Sequence, residues 1–191
     1  MNRIYFCFLF AISFINTGFT QQASDPRISF FLSMSFENTH SLSSESSRYD
    51  FEMNPNYIAG VEIIVINKSS FDKYGFGINY QANNNLIGVE GNYNFWPLYF
   101  FTQIKITEID QFKINAQFNL GYNFFNANVD YKDSVGTTKG GIYYSLGSVI
   151  YVGRSIQLRA FYSTNYGNLK IESNEFLVKN NFISLGLGYT F

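Results

Sequence analysis

Cysteine and histidine are almost absent from this sequence. Its single cysteine is Cys7, and its single histidine is His40. A disulfide framework needs cysteines in pairs, and an ordinary zinc site needs several cysteine or histidine ligands. The sequence therefore excludes a disulfide-stapled scaffold and an ordinary zinc site.

Charged residues and long apolar runs are also scarce. Charged residues make up 14% of the chain, against about 25% in soluble domains, while aromatic residues make up 20%. No apolar run reaches the roughly 18 residues of a membrane-spanning helix. The net charge of −1 gives no sign of a nucleic-acid partner. Intermittent apolarity of this kind favours a membrane β-barrel, in which only alternate residues of each strand meet lipid.

The first residues have the pattern of a secretion signal. Arg3 provides a short positive region, the mostly apolar stretch Ile4–Ile15 follows, and small residues come next. So short an apolar stretch is typical of a cleaved signal peptide rather than of an uncleaved membrane anchor, which is the alternative. We predict that residues 1–20 are a cleaved signal peptide and that residues 21–191 form one mature barrel domain. Cys7 would be lost with the signal.

The end of the sequence, Asn181–Phe191, alternates between two kinds of side chain. Residues two apart in a strand point to the same face, so this stretch has one bulky apolar face and one face of very small residues. A small face suits the crowded interior of a narrow barrel, and a bulky face ended by aromatic residues suits lipid and the membrane interface. The apolar face comprises Ile183, Leu185, Leu187, Tyr189 and Phe191.

This final strand resembles the sorting signal of Gram-negative outer-membrane barrels, which ends in a C-terminal Phe and is recognised by the barrel-assembly machinery. Gly141–Gly147, Leu158–Tyr162 and Leu185–Phe191 also resemble the broad family of small, OmpA/OmpX-like outer-membrane β-barrel proteins. The resemblance implies an outer-membrane location after secretion through the inner membrane. It implies outer-membrane lipid and the assembly machinery, through Phe191, as partners, and it implies no particular activity.

The same alternation divides the mature chain into eight predicted strands. Short and long connections follow one another in turn, as in barrels with short periplasmic turns and longer extracellular loops. We therefore predict an all-β fold, an eight-stranded antiparallel up-and-down transmembrane β-barrel. The predicted strands are Arg27–Phe36, Asn56–Ile66, Phe71–Ala82, Pro97–Thr107, Phe112–Phe124, Gly141–Val152, Ile156–Tyr166 and Asn181–Phe191.

The stretch Asn83–Trp96 decides the strand count. It also alternates, and counting it would give nine strands, whereas single-chain bacterial barrels have even numbers. We interpret it as a protruding loop, or a hairpin extending beyond the membrane, so that the next strand begins at Pro97 and the proline disturbs no ladder. A ten-stranded alternative would need Asn126–Lys132 as a strand, which is shorter than the roughly 9–11 residues of a span. The other long loops are predicted at Glu37–Met53, Phe125–Gly140 and Gly167–Asn180.

The residues predicted to face the interior are mostly polar, and Glu62 is the one acid among them. Buried charges are costly unless they are paired. We hypothesise that Glu62 pairs with Lys105 or Arg159 and plugs the lumen; the alternative is a narrow or gated ion path. The other inward-facing polar residues are predicted to be Asn79, Gln81, Gln103, Lys113, Asn115, Gln117, Asn119 and Gln157.

His40 is the residue most open to a catalytic interpretation. It lies in the first predicted outer loop, and some lipid-modifying outer-membrane enzymes carry Ser, His and an acid at their outer rim. A nucleophile, a base and an orienting acid are what such chemistry needs. A flexible serine-rich loop does not fix that geometry, so a solvated histidine is the favoured interpretation. The neighbouring candidates are Ser41, Ser43, Ser44 and Glu45.

Other candidate sites are weaker. Asp130 and Asp133 lack the alternating acids of a calcium loop. Val135–Gly141 has the wrong residue order for a phosphate loop, and Asn67–Ser69 matches a glycosylation triplet in a predicted periplasmic turn. We assign no catalytic, cofactor-binding or metal-binding residue and expect no cofactor.

Aromatic residues gather near the predicted strand ends, which indicates interfacial girdles rather than a stacking site for sugar or nucleic acid. The sequence favours a non-enzymatic, monomeric outer-membrane barrel with a structural, adhesion or surface-interaction role carried by its outer loops. An outer-leaflet lipid-modifying enzyme and a small passive pore are the alternatives. The predicted girdle residues are Tyr57, Tyr74, Tyr80, Tyr93, Trp96, Tyr122, Phe124, Tyr162, Tyr166 and Tyr189.

Overall fold

The computed structural model describes residues 26–44, 48–66, 73–84, 92–127, 137–171 and 174–191. Within these ranges there is no helix that is long and apolar enough to cross a membrane. The predicted signal peptide, the glycosylation triplet and the paired aspartates lie outside the described residues. The strands are β1 (Arg27–Ser43), β2 (Arg48–Met53), β3 (Asn56–Ile66), β4 (Lys73–Asn84), β5 (Tyr93–Ile109), β6 (Phe112–Ala127), β7 (Thr137–Val152), β8 (Ile156–Ile171) and β9 (Asn174–Thr190).

β2 and β3 are two parts of one interrupted strand. Both pair with β1 in a single register, with Met53 opposite Asn38 and Asn56 opposite Ser35. They are separated by Asn54–Pro55, where proline has no N–H to donate to a ladder. With β2 and β3 taken together, every strand is antiparallel to its neighbours and β1 closes on β9. The prediction of an eight-stranded up-and-down barrel is confirmed, and the ten-stranded alternative is not.

The ring is staggered, so its strands tilt. When paired residues are followed from strand to strand around the barrel, a path that starts at Ser29 of β1 returns to β1 at His40. His40 lies further along the strand than the starting point. Such a shear is required to close a sheet into a barrel, and eight strands leave an interior that side chains fill. The path runs through Ser29, Glu62, Gly77, Tyr99, Gly121, Tyr143, Asn165, Asn180 and His40.

Large aromatic side chains fill the interior by lying across glycines of the neighbouring strand. Tyr99 is paired with Gly77, and a Cβ atom on Gly77 would come within 2.5 Å of the Tyr99 ring. Phe31 is paired with Gly60 in the same way. Covering a glycine with a cross-strand aromatic ring fixes register while removing a gap from the interior. The same pairing occurs at Gly75 with Phe101 and at Gly147 with Phe161.

The polarity of the barrel wall inverts along its length. Over the half nearer Arg27 and Phe191, which we call the terminal end, outward side chains are large and apolar, while inward ones include most of the buried polar residues together with large aromatic ones. An apolar outside and a polar interior are the pattern of a lipid-embedded barrel. Beyond this belt, in what we call the far-end extension, most outward side chains are polar and many inward ones are apolar. The belt includes Leu32, Ile78, Phe100, Leu120, Leu146, Leu158 and Leu185; exposed residues of the extension include Thr39, Arg48, Asp50, Asn126, Lys139, Asn168, Lys170 and Glu175.

The predicted strand boundaries are right at the terminal end of the barrel and wrong at the far end. β1, β3, β6, β7 and β8 have their terminal-end boundaries at the predicted residues. At the far end the strands continue well into the stretches predicted as long loops. The observed extensions are Glu37–Ser43, Asn83–Asn84, Tyr93–Trp96, Phe125–Ala127, Thr137–Gly140, Gly167–Ile171 and Asn174–Asn180.

Pro97 is also misplaced by the prediction, because it lies inside β5 rather than at its start. It is paired with Asn123 of β6, whereas the ladder to β4 has no pair between Ile78–Leu98 and Gln81–Phe95. The missing proline N–H therefore coincides with a gap on the β4 side, which a barrel strand tolerates when the other ladder is intact.

Candidate functional site: the closed lumen

The centre of the lumen is occupied by an ion pair between Glu62 and Arg159. Arg159 donates two hydrogen bonds, from Nη1 to Oε2 at 2.7 Å and from Nη2 to Oε1 at 2.6 Å. Both side chains are buried: 0% of the Glu62 side chain and 3% of the Arg159 side chain are exposed. A two-pronged contact of this kind is the strongest geometry available to a carboxylate. It confirms the predicted pairing with Arg159.

The carboxylate has further donors, so its charge is fully compensated. Tyr99 Oη and Gln117 Nε2 each donate to Glu62 Oε1 at 3.0 Å. Arg159 Nη1 also donates to Gln157 Oε1, and the guanidinium lies 4.1 Å from the centre of the Phe31 ring. A buried charge persists only with such partners. We call these residues the ion-pair network.

The network continues toward the terminal end through uncharged amides and hydroxyls. Gln117 receives a bond from Gln103 at 2.7 Å, and Gln103 in turn accepts one from the Tyr151 hydroxyl at 3.0 Å. Gln157 donates to Ser29 and Thr190, which links β8 to the strands on its closing side. The bonds of Glu62 with Arg159 join β3 to β8 across the lumen, and the amide bonds extend this closure along neighbouring strands.

Lys105, the other predicted partner of Glu62, lies elsewhere. Its Nζ bonds to Glu108 at 2.5 Å, and Lys113 Nζ bonds to the other oxygen of Glu108 at 3.0 Å. All three side chains are partly exposed at the terminal end of the barrel. The two lysines point inward in register but sit at the mouth, where a pair in contact with water contributes little to stability.

The far-end extension closes the lumen with an apolar cluster, which we call the aromatic cap. Tyr93, Phe95 and Phe125 stack at its centre, with ring centroids 4.9–5.4 Å apart. These distances are those of favourable edge-on and tilted ring pairs. The cap is completed by Met53, Leu169 and Val178, and Leu42, Phe51 and Phe176 pack against it.

His40 belongs to this cap and is not a solvated loop residue. It is fully buried, its Nδ1 lies 2.7 Å from the Tyr93 hydroxyl, and its ring packs against Phe51 and Tyr93. His40 lies in the far-end extension, beyond the lipid-facing belt, and burial lowers its pKa from 6.5 to about 4. The imidazole is therefore neutral at physiological pH.

The structure does not bring the candidate triad together among the described residues. Ser41, next to His40, forms a side-chain hydrogen bond with Asp50 on the outside of the barrel. Adjacent strand residues point to opposite faces, so Ser41 and Asp50 are on the wrong side of the wall for His40. The partner that sequence reasoning missed is Tyr93, which was assigned to the interfacial girdle although it is fully buried.

The structure also bears on the predicted aromatic girdle and on the possibility of a metal site. Of the other predicted girdle residues, six are exposed and three are half-buried on the outer wall. The alternation of the predicted strand Asn56–Ile66 places Val65 on its lipid-facing side, but Val65 is buried. No group of three or more His, Cys, Asp or Glu that could hold a metal ion occurs within the described ranges. The exposed girdle residues are Tyr57, Trp96, Tyr122, Phe124, Tyr162 and Tyr189.

Between cap and network, the lumen narrows to a cavity of about 20 Å³. Its walls include Asn79, Gln81 and Ser163 on the cap side and Tyr99 and Arg159 on the network side. That volume holds about one water molecule. The lumen between the cap and the network is therefore narrow.

No protein-family model and no curated protein matches this sequence. Several solved structures match its fold. Neisserial surface protein A (NspA) is 13% identical with a TM-score of 0.54, and the match covers 90% of this chain and 100% of that one. AlkL, determined in DMPC bilayers, is 12% identical over 90% and 92% with a TM-score of 0.55, and OprG from Pseudomonas aeruginosa is 11% identical over 90% and 98% with a TM-score of 0.51. The chain has the fold of the small eight-stranded outer-membrane β-barrel proteins.

Proposed function

We propose that this protein is a non-enzymatic outer-membrane β-barrel that acts at the cell surface through its far end, in a structural, adhesive or surface-contact role. The observation that carries the proposal is the inversion of polarity along the wall. The lipid-facing belt ends near Phe36 and Trp96, and the strands continue beyond it with polar residues outside and an apolar cap inside. A barrel built to stand above the membrane presents a rigid surface to partners.

We base the orientation on the fold. The start of β1 at Arg27, the end of the chain at Phe191 and the tight links at Asp110–Gln111 and 153–155 lie at one end, as periplasmic turns do in such barrels. The far end is then extracellular. One of the similar structures, NspA, is called a surface protein by its name, which agrees with this assignment.

The test displays the chain in the outer membrane of a bacterium that lacks it and measures attachment of the cells to host-cell monolayers. A variant in which residues 128–136 are replaced by a short Gly-Ser turn should lose most of the attachment while retaining heat-modifiable migration on gels, the sign of a folded barrel. A matched replacement of the terminal-end link 153–155 should leave attachment unchanged. Equal attachment by cells with and without the protein contradicts the adhesive role.

The rival function of lipid modification is tested on the same cells. The lipid A profile by mass spectrometry should be the same with the wild-type chain, with His40→Ala and without the protein. His40 is enclosed by aromatic side chains, whereas a general base must reach the proton that it removes. A change in acyl composition that His40→Ala abolishes would establish the enzyme instead.

The rival function of a passive pore is tested in planar bilayers. The wall-to-wall bonds of Glu62 and Arg159 favour a plug over a conduit, so we expect no stable conductance from the wild-type protein. Stable conductance that Glu62→Gln abolishes would establish an ion path through the network.

We also propose that the last strand is the assembly signal. Phe191 is 72% exposed, its N–H bonds to the Ile28 carbonyl at 2.9 Å, and its ring contacts Phe30 and Tyr189. Phe191→Ser should reduce the folded, membrane-inserted fraction in cells several-fold while leaving refolding of the purified chain in detergent intact. Chemical cross-linking in the same membranes should show a monomer.

A further inference from the structure

A layer of buried side-chain atoms without hydrogen-bond partners lies inside the barrel, between the aromatic cap and the ion-pair network. Among the described residues, five buried side-chain atoms have no hydrogen-bond partner. Three of them belong to one row of neighbouring residues: Asn165 of β8 is paired with Asn180 of β9, which is paired with His40 of β1. The five atoms are Oδ1 of Asn38, Asn123, Asn165 and Asn180, and Nε2 of His40.

The orientation of these amides is fixed by bonds on their other side. Asn165 Nδ2 donates to Gln81 Oε1 at 2.7 Å across the lumen, and Asn123 Nδ2 donates to the Tyr166 carbonyl at 3.2 Å. Asn38 Nδ2 donates to the Asn54 carbonyl at 2.7 Å. Turning any of these amides over would set an oxygen against an oxygen. At Asn38, Asn123 and Asn165 the unpaired atom is therefore an acceptor.

His40 also carries an unpaired atom. Its Nδ1 lies 2.7 Å from the Tyr93 hydroxyl, which also lies 3.2 Å from Met53 Sδ. The other ring nitrogen, Nε2, is buried without a partner, and it needs a donor in one neutral tautomer and an acceptor in the other. A water molecule can supply either.

We propose that the row of His40, Asn165 and Asn180 is an internal hydration site, occupied by ordered water that hydrogen-bonds to the unpaired atoms of these three residues. Buried polar groups in proteins are paired with protein or with ordered water. Water supplies two donors and no net charge, whereas a cation would bring charge to ligands that are all neutral. The small cavity bordered by Gln81, which bonds to Asn165, extends the hydrated layer toward the network.

The site has a consequence for the lumen as a whole. Water is held between two closures of different chemistry, apolar on the outer side and ionic on the inner side. Breaking the Glu62 pair alone would leave the cap shut, so ion passage would require both closures to open.

The experiment is solution NMR of the folded chain in detergent micelles, observing magnetisation exchange between water and the side-chain amides. The wild-type protein should show water contacts of long-lived character at the Asn165 and Asn180 side-chain amides, and the imidazole 15N shifts of His40 should report a neutral ring. Asn180→Leu should abolish the contact at Asn165. Asn115→Leu is the matched control, because Asn115 is a buried asparagine on the terminal-end side of the network, bonded to Gln103, and it should leave the contacts in place.

Three results would overturn the site. The first is wild-type protein without water contacts at these amides, a measurement that needs no variant to fold. The second is an unchanged water contact at Asn165 in Asn180→Leu, because water bound by the row should be lost with Asn180. The third is a saturable shift of the Asn165 and Asn180 signals with sodium or potassium chloride that choline chloride does not reproduce, which would identify a cation site.

Discussion

Glu62 and Arg159 stand 97 residues apart in the sequence and meet in the centre of the barrel through two short hydrogen bonds. Removing one partner from a buried pair leaves an uncompensated charge. Arg159→Leu should therefore lower the free energy of unfolding by about 3–5 kcal/mol, whereas the double variant Glu62→Leu with Arg159→Leu should lower it much less. Urea unfolding in detergent measures both. A double variant as unstable as Arg159→Leu would show that the pair itself stabilises the fold.

His40 should make the far-end extension sensitive to acid. The pKa of His40 is lowered from 6.5 to about 4 by burial, and no charged group among the described residues contributes to the shift. Between these values the unfolded state binds a proton that the folded state does not, so stability falls as the pH drops from about 6.5 to about 4 and is constant below. The loss is about 3 kcal/mol.

Hydrogen exchange of the cap amides, corrected for intrinsic rates, reports this loss. His40→Gln should abolish the slope in that window, because His40 is the only histidine in the chain. A slope that persists in His40→Gln would assign the effect to carboxylates instead.

The inversion of wall polarity predicts opposite responses to the same substitution on one strand. Leu120 and Asn126 both point outward from β6, Leu120 with 51% of its surface exposed. Leu120→Arg places a charge in the lipid belt and should cost about 2–4 kcal/mol, while Asn126→Arg should cost less than about 1 kcal/mol. Folding into lipid vesicles titrated with guanidinium measures the difference. Equal costs would contradict the placement of the membrane.

Gly77 should tolerate no side chain while Tyr99 lies across it. Gly77→Ala would push Tyr99 from its place and weaken its bond to Glu62, at a cost of about 1–3 kcal/mol. Combining Gly77→Ala with Tyr99→Leu should cost less than the sum of the two single variants, because the clash is gone. Additive costs in thermal unfolding would show that the two sites are independent.

The lipid-embedded half of the barrel could be predicted from the sequence because contact with lipid imposes the same rule of polarity on every strand. Outward residues such as Leu120 must be apolar, and inward ones such as Gln117 need only fit and find partners. That rule located the terminal-end boundaries and the acid at the centre. It also narrowed the partner of Glu62 to two bases, and only the stagger of the ring selects Arg159 over Lys105.

The far-end extension was missed because the rule reverses there. Tyr93 and Phe95 alternate with Asn94 and Trp96 as a strand should, but the apolar members face inward. Because counting this stretch as a separate strand gives nine, we interpret it from the sequence alone as a protruding loop or hairpin and assign Tyr93 to the girdle. The unbroken alternation through Pro97 was the signal that could have revealed the continuous strand. The contact between His40 and Tyr93 joins β1 to β5, and no local pattern predicts it.

The reversal of polarity also sets how deeply the barrel sits. Moving the barrel toward its terminal end would bring Lys139 and Lys170 into hydrocarbon, and moving it the other way would expose Phe36 and Leu98 to water. Both movements are costly because the change of polarity occurs on most strands of the described barrel. A bilayer whose thickness does not match the lipid-facing belt must therefore thin or thicken around this protein, because the protein has no second stable depth in the membrane.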